Sequence, residues 1–281
     1  MSARSSRPAP RRVVYLLAAV VIGGLFLLPI LWLLISSVKT TAEFAAVPPT
    51  YWPQTISLEN FQRLADAGIW HHALNSTLVA LGTVVLATLL STLAGYGFAR
   101  FRFRGSSILF LVLLSTLMIP FQSIIPSLYA ILDSAGLINS IGGLILVYTS
   151  FVLPFGVFTL RAAFASIPDG LEEAAIMDGA SPWRTFTSVM VPMAVPGVAT
   201  VAIYAFFNAW NEFLAALIFT TRQDAFTLPV ALANLQSGAF GTLNWGVLEA
   251  GAIVSAVPCI VVFLILQRYY VAGLSAGAVK G

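Results

Sequence analysis

Charged residues are scarce in this sequence. Asp, Glu, Lys and Arg make up only 9% of the 281 residues, whereas hydrophobic residues make up 59%. A soluble domain carries about 25% charged residues because water must solvate its surface. The low charge therefore excludes an ordinary soluble protein and indicates an integral membrane protein.

Cysteine and histidine are also rare. The single cysteine, Cys259, lies in an apolar run, which excludes an internal disulfide, a cysteine-rich metal site and a thiol redox pair. The two histidines, His71 and His72, are adjacent and have no acidic or cysteine companion nearby, so we expect no metal site. The sequence has no His-Glu-x-x-His motif and no Gly-x-x-x-x-Gly-Lys-Ser/Thr phosphate loop. We therefore expect a non-catalytic chain rather than a membrane-embedded enzyme.

Six apolar runs are long enough to cross a bilayer, which takes about 20 residues per helix. Backbone groups in lipid must pair within a helix or a closed barrel, and these runs lack the alternation of barrel strands. The first run is too long for the apolar region of a signal peptide. We predict an all-α membrane protein with about six transmembrane helices in one domain, 13–268, between terminal tails 1–12 and 269–281. The predicted spans are 13–37, 73–97, 107–131, 138–160, 191–217 and 246–268.

The distribution of Lys and Arg predicts the orientation, because these residues are enriched in cytoplasmic loops. With a cytoplasmic N-terminus, 11 of the 14 basic residues fall inside and three, Lys39, Arg63 and Arg222, fall outside. Both termini are therefore predicted to be cytoplasmic. The inside set is Arg4, Arg7, Arg11, Arg12, Arg100, Arg102, Arg104, Arg161, Arg184, Arg268 and Lys280.

The cytoplasmic segment 161–190 differs from the other connections because it carries four carboxylates. Pro168 and Asp169 are typical of a helix start, and Gly179 is typical of a helix end. Ser181 can cap a second helix that has Pro182 at its first position. This pattern predicts two short helices with a sharp bend. Such a segment either enters a groove on another protein or forms a solvated linker at the membrane surface.

A spacing pattern in this segment resembles a known signature. Glu173-Ala174-Ala175 is followed by Gly179 and then by Val189-Met190-Val191-Pro192. This resembles the coupling loop of binding-protein-dependent ABC import permeases, which reads Glu-Ala-Ala, a Gly four positions on, and an Ile-x-Leu-Pro end. Val189 and Val191 stand where that family has Ile and Leu, and the spacing is intact.

Other stretches narrow the resemblance to maltose-type sugar permeases. Trp210-Asn211-Glu212-Phe213 and Met118-Ile119-Pro120-Phe121-Gln122 are similar to segments of those proteins. The C-terminal stretch 267–281 is similar to the tail of the smaller, six-span (MalG-type) permease of the pair. The resemblance covers the chain from the first predicted span onward.

The resemblance implies a type I importer permease fold and a heterodimer with a second permease. It also implies two cytoplasmic ATPases, which bind ATP and Mg²⁺, and an extracytoplasmic solute-binding protein that delivers a sugar. This chain itself would hold no cofactor. The residues implied in ATPase coupling are Glu172, Glu173, Ala174, Ala175, Asp178, Gly179, Ser181, Pro182 and Trp183.

Polar groups within the spans are costly in lipid and are therefore candidates for the substrate pathway. The alternative for each of them is ordinary contact between helices. Within the importer class, a glycerol phosphate or another non-sugar solute is the alternative substrate, and a secondary transporter is the alternative class. The pathway candidates are Met118, Gln122, Tyr148, Asn208, Asn211, Glu212 and Glu249.

Overall fold

This computed structural model describes the backbone of residues 10–44, 46–236 and 244–278. Side chains are described for the same residues except 10–13, 236, 266 and 268–278. Every regular element in these ranges is a helix. The longer elements are α1 (Pro10–Ser37), α4 (Ile69–Arg100), α5 (Ser106–Ser115), α6 (Phe121–Ser134), α7 (Ile141–Ala165), α11 (Val195–Asn211) and α14 (Trp245–Ala278). The short helices are α2 (Thr41–Phe44), α3 (Glu59–Asp66), α8 (Asp169–Met177), α9 (Pro182–Thr185), α10 (Val191–Met193), α12 (Leu214–Phe219) and α13 (Leu228–Gln236).

Four of the described helices are long and apolar enough to cross a membrane as single segments, and two bent helix pairs raise the number to six. This agrees with the six predicted spans. The four single segments are Val14–Ser37, Ile69–Arg100, Ile141–Ala165 and Trp245–Ile265. The predicted N-terminal tail is described only from residue 10, and Lys280 lies outside the described residues.

Two predicted spans differ from straight helices. The third is broken between Ser106–Met118 and Phe121–Ser134, which meet at 104°. The fifth is broken between Pro182–Met193 and Val195–Asn211, which meet at 74°. Each break lies beside a proline, Pro120 or Pro196, as expected for residues that cannot donate a backbone hydrogen bond. The C-terminal helix α14 extends beyond the predicted end of the sixth span at 268 and continues to Ala278.

The chain divides into two compact units. The first comprises residues 1–68 and 234–254, and its described part contains α1 to α3 and the first turns of α14. Within this unit, buried Asn60 joins α3 to the end of α1. The side-chain amide of Asn60 donates to Ser37 O at 2.9 Å and to Lys39 O at 2.7 Å. A Cβ on Gly246 would lie only 2.5 Å from this amide, so glycine allows the start of α14 to approach.

The second unit comprises residues 69–233 and 255–281. Its core lies where α4, α7 and α11 pack together, and small residues allow close approach of these helices. A Cβ on Gly95 of α4 would contact the backbone of Leu160 and Arg161 in α7, and one on Gly197 would lie 2.8 Å from Ala163 Cβ. The buried side chains of this core are Ala87, Val152, Leu160, Phe164, Ile167, Phe186, Met190, Ala194, Val201 and Ala205.

Candidate functional site: the α8 segment and a polar cleft

The short helix α8 begins and ends at the residues expected from the sequence. It starts at Asp169 directly after Pro168, and it is followed by Gly179, whose φ of +82° lies in the left-handed region. Gly179 N donates to Ile176 O at 2.9 Å, and Ala180 N donates to Ala175 O at 3.0 Å. These bonds satisfy the last carbonyls of the helix, and the left-handed turn reverses the chain.

The second helix of the segment begins as predicted. Ser181 Oγ accepts a hydrogen bond from Arg184 N at 3.3 Å, and Pro182 occupies the first turn of α9. The chain then continues through one π-helical turn, Phe186–Met190, into α10. Phe186 and Met190 are buried in the core, so this end of the segment is fixed to the α4–α7–α11 bundle.

The guanidinium of Arg100, the last residue of α4, holds the start of α8. Its side chain is only 10% exposed. Its Nη2 donates to Phe164 O at 2.9 Å and to Ile167 O at 2.6 Å, its Nη1 donates to Asp169 Oδ1, and its Nε lies 3.4 Å from Glu172 Oε2. A planar group with five fixed donors suits such convergent acceptors. The end of α7 and the first turn of α8 are thereby fixed to the end of α4.

Tyr96 reinforces the same contact one turn earlier on α4. Its hydroxyl donates to Glu172 Oε1 at 2.6 Å. Its ring centroid lies 4.8 Å from that of Phe186 and 5.4 Å from that of Phe164. We name Tyr96, Arg100, Asp169 and Glu172 the Arg100 clamp.

Outside the clamp contacts, α8 is open to its surroundings. Glu173, Ile176 and Met177 are exposed, and they share one face because they stand at positions i, i+3 and i+4. Met177 is 86% exposed, and Trp183 in α9 is 66% exposed. We name Glu173, Ile176 and Met177 the exposed α8 face. An apolar surface with a single carboxylate, on a helix held at its first turn by the clamp, is suited to contact another protein.

A polar cleft lies elsewhere in the second unit. It has a volume of about 440 Å³. Its polar lining includes Thr116, Ser150, Tyr204, Asn208 and Glu212. Its apolar lining comprises Leu117, Ile119, Phe121, Ile124, Phe151 and Pro154. The break between α5 and α6 therefore forms one wall, and α7 and α11 form the others.

Glu212 is fixed at the end of this cleft by hydrogen bonds. Its carboxylate accepts from the hydroxyl of buried Tyr148 at 2.8 Å. It also accepts from Ala215 N at 3.0 Å and Ala216 N at 3.2 Å, the first free amides of α12. A carboxylate is favourable at a helix N-terminus, where unpaired amides and the helix dipole meet it. Glu212 thus joins α7, α11 and α12.

A family model described as "Binding-protein-dependent transport system inner membrane component" matches residues 87–275, a range that includes the Arg100 clamp, α8 and Glu212. The chain belongs to this family. The permease is therefore an inner-membrane protein with several membrane-spanning helices.

Curated relatives of the permease match over almost their whole length. The trehalose transport system permease protein SugB of Mycobacterium tuberculosis is 41% identical over 92% of this chain and 94% of its own length. The diacetylchitobiose uptake system permease protein NgcG of Streptomyces coelicolor is 36% identical over 99% of this chain and 93% of its own. The trehalose/maltose transport system permease protein MalG of Thermococcus litoralis is 31% identical over 96% of this chain and 98% of its own length. These matches confirm the resemblance to sugar permeases of the MalG type.

A solved structure has the same fold. A chain of a bacterial ABC transporter that imports the acidic polysaccharide alginate superposes with a TM-score of 0.79. The match covers 95% of this permease and all of that chain, at 21% sequence identity. The predicted ABC importer permease fold is confirmed.

The structure brings all nine predicted coupling residues together in the α8–α9 segment of the permease, but they face different ways. Glu172 points to the clamp, whereas Glu173 belongs to the exposed α8 face. Ser181 caps α9, and Gly179 makes the reversal. Their role in coupling stays a prediction.

The predicted pathway residues do not form a single cluster. Asn208 and Glu212 line the cleft, with Tyr148 hydrogen-bonded behind Glu212. Met118 and Gln122 are exposed on either side of the α5–α6 break, next to lining residues. Asn211 donates to Phe207 O at 2.9 Å within its own helix. Glu249 belongs to the first unit and not to the cleft.

Proposed function

We propose that the permease forms half of the translocation pathway for a sugar or sugar oligomer, and that α8 couples this pathway to a cytoplasmic ATPase. The observation that carries the coupling role is the exposed α8 face on a helix whose first turn is held by the Arg100 clamp. The sugar is supported by the relatives, whose names specify trehalose, maltose and diacetylchitobiose. A second permease subunit would supply the other half of the pathway.

The energy for transport would come from two partner ATPases, which would bind ATP and Mg²⁺, because this sequence has no phosphate loop. A groove on one ATPase would receive the exposed α8 face and Trp183. Closure of the ATPase dimer would move α8, and the clamp would transmit this movement to the ends of α4 and α7. With this division of labour, the permease itself catalyses no reaction.

The cleft beside Glu212 is the best candidate for the sugar path within this chain. Its polar side chains, Asn208, Tyr204 and Ser150, can hydrogen-bond hydroxyl groups, and the rings of Phe121 and Phe151 offer apolar surfaces. The Glu212 carboxylate is occupied by Tyr148 and two backbone amides. Glu212 would therefore shape the cleft, and Asn208 would be the freer group for contact with solute.

A cysteine at Met177 is expected to cross-link to an ATPase. The background is Cys259→Ser, which removes the single native thiol. Met177→Cys in the complete transporter is labelled with a maleimide photocross-linker, irradiated in inverted membrane vesicles, and analysed by mass spectrometry. Gln62→Cys, exposed in α3 of the first unit, is the matched control. A phosphate-loop ATPase attached at position 177 and absent at 62 is expected; equal labelling at both positions would contradict the coupling role.

Deletion of the gene is expected to abolish uptake of one sugar or oligosaccharide, and the intact gene is expected to restore it. The panel would contain radiolabelled trehalose, maltose, diacetylchitobiose, arabino-oligosaccharides and glycerol 3-phosphate. Restored uptake should depend on ATP and on a solute-binding protein. Loss of glycerol phosphate uptake alone would contradict the sugar assignment, and uptake driven by an ion gradient without ATP would favour a secondary transporter.

A further inference from the structure

The segment 46–58 of the first unit is uncharged and carries several exposed apolar side chains. Its sequence, Ala-Val-Pro-Pro-Thr-Tyr-Trp-Pro-Gln-Thr-Ile-Ser-Leu, contains no Asp, Glu, Lys or Arg. Val47 is 94% exposed, Ile56 81% and Trp52 71%. Exposed apolar residues on a short segment without a single charge indicate a surface that contacts something other than water.

The segment that carries these exposed side chains is held in place by hydrogen bonds. The Glu43 carboxylate accepts from Gln54 N at 2.5 Å and from Thr55 N at 3.4 Å. Hydrogen bonds from the backbone of Thr40 and Gln54 lower the pKa of Glu43, so the charged form that makes these bonds is favoured. Ser57 N donates to Val38 O at 2.9 Å. The second half of the segment is thus fixed to Val38 and Glu43, which lie shortly after the end of α1.

The segment also folds back beside α1. The Tyr51 ring packs edge-on against Trp32, with ring centroids 6.5 Å apart. Trp32 lies five residues before the end of α1 at Ser37, which is about 7.5 Å back along the helix axis. Lys39 Nζ lies 5.1 Å from the Trp32 ring centroid and donates to Thr50 O. Tyr51 therefore lies at the depth of the last two turns of a membrane-spanning helix.

We propose that Val47, Tyr51, Trp52 and Ile56 form an interfacial anchor, which rests in the headgroup region of the bilayer beside the end of α1. Tyr and Trp concentrate at this depth because their rings are apolar at one end and polar at the other. Buried Lys39 joins the segment to this depth of α1, because its ammonium group donates to Thr50 O and lies over the Trp32 ring. The proposal depends on α1 crossing the membrane and not on the solute that is transported.

The alternative to lipid is that these side chains contact another protein, such as the solute-binding protein of the complex. A transient protein interface usually has a polar rim, and charged groups set the register of the two partners. The segment 46–58 offers no charge for this purpose, and the contact of Tyr51 with Trp32 brings it back toward the lipid-facing helix. The structure therefore favours lipid.

Spin-label depth measurements test the anchor. Single cysteines at Trp52 and Ile56 are introduced in the Cys259→Ser background, labelled with a nitroxide, and placed as the full chain in nanodiscs of phosphatidylcholine and phosphatidylglycerol. Collision rates with oxygen and with a water-soluble nickel chelate are then measured. Gln62→Cys is the aqueous control, and Phe26→Cys, exposed in the middle of α1, is the hydrocarbon control.

We expect the ratio of oxygen to nickel collisions at positions 52 and 56 to be several-fold above that at 62 and below that at 26. Ratios equal to that at 62 would place the segment in water and overturn the proposal in favour of a protein-facing surface. Ratios equal to that at 26 would also overturn it, because they would place the segment in the hydrocarbon core.

Discussion

Replacing Arg100 with methionine is expected to reduce transport by about tenfold or more while the chain still inserts into the membrane. Methionine replaces the aliphatic stem of arginine but removes every donor to Phe164 O, Ile167 O, Asp169 and Glu172. Hydrogen bonds to charged groups contribute about 1.5–3 kcal/mol each, and about 1.4 kcal/mol corresponds to a factor of ten. The start of α8 would lose its position relative to α4, and the exposed α8 face would meet its partner in the wrong geometry.

The matched control is Arg102→Met. Arg102 and Arg104 lie in the same basic cluster, are exposed, and would contribute equally to cytoplasmic retention of the loop. Uptake by the complete transporter and the amount of permease in the membrane are measured for each variant. Transport that falls only in Arg100→Met supports the clamp. An equal fall in both variants would assign Arg100 to topology alone.

Local signals explain why the α8–α9 segment was predictable from the sequence. Pro168, Gly179 and Ser181 each act on residues within three or four positions, through a fixed φ, a left-handed turn and a side-chain cap. The number of spans was equally accessible, because hydrocarbon thickness sets the length of each apolar run. The prolines at the two breaks were visible as well, but the angles of 104° and 74° were not, since packing against other helices sets them.

The contacts that position the site could not be read from the sequence. Arg100 meets Asp169 across 69 positions, and Tyr148 meets Glu212 across 64. A basic residue after an apolar run is fully explained by the orientation rule, so nothing in the sequence distinguished Arg100 from Arg102 and Arg104. Tyr96 appeared as one more aromatic residue in a span. Both gain a role only from the packing of α4 against α7.

That packing also explains how α8 is connected to the rest of the second unit. Phe164 and Phe186 precede and follow the α8 segment in the chain, both are buried in the core, and both contact Tyr96. The two ends of the segment are thus held in one aromatic cluster, which consists of Tyr96, Phe164 and Phe186. A force on α8 would act on the ends of α4 and α7 together, which is the property that a coupling element requires.

The Gly156→Val substitution is expected to destabilise the bundle by about 1–3 kcal/mol, the usual cost of overpacking a filled core. A Cβ at this position would lie 2.8 Å from Ser91 Cβ in α4 and 3.1 Å from Val201 Cγ1 in α11. Ser91 and Val201 are fully buried, so neither has free space to move into. Membrane helices are held largely by close packing, so separating them at this point loses many contacts at once. The measurement is thermal unfolding of the purified permease in mild detergent.

Gly97→Val is the matched control, because nothing lies within 4 Å of a Cβ at that position of α4. A second test exchanges the small residues. Gly156→Ala alone should lower the unfolding temperature, and Ser91→Gly in the same chain should restore part of it, since the Ser91 hydroxyl has no hydrogen-bond partner among the described residues. Such coupling between the two substitutions would show direct contact of α4 and α7 at this point. Equal unfolding temperatures for Gly156→Val and Gly97→Val would mean that the helices do not approach as closely as the Ser91–Gly156 contact requires.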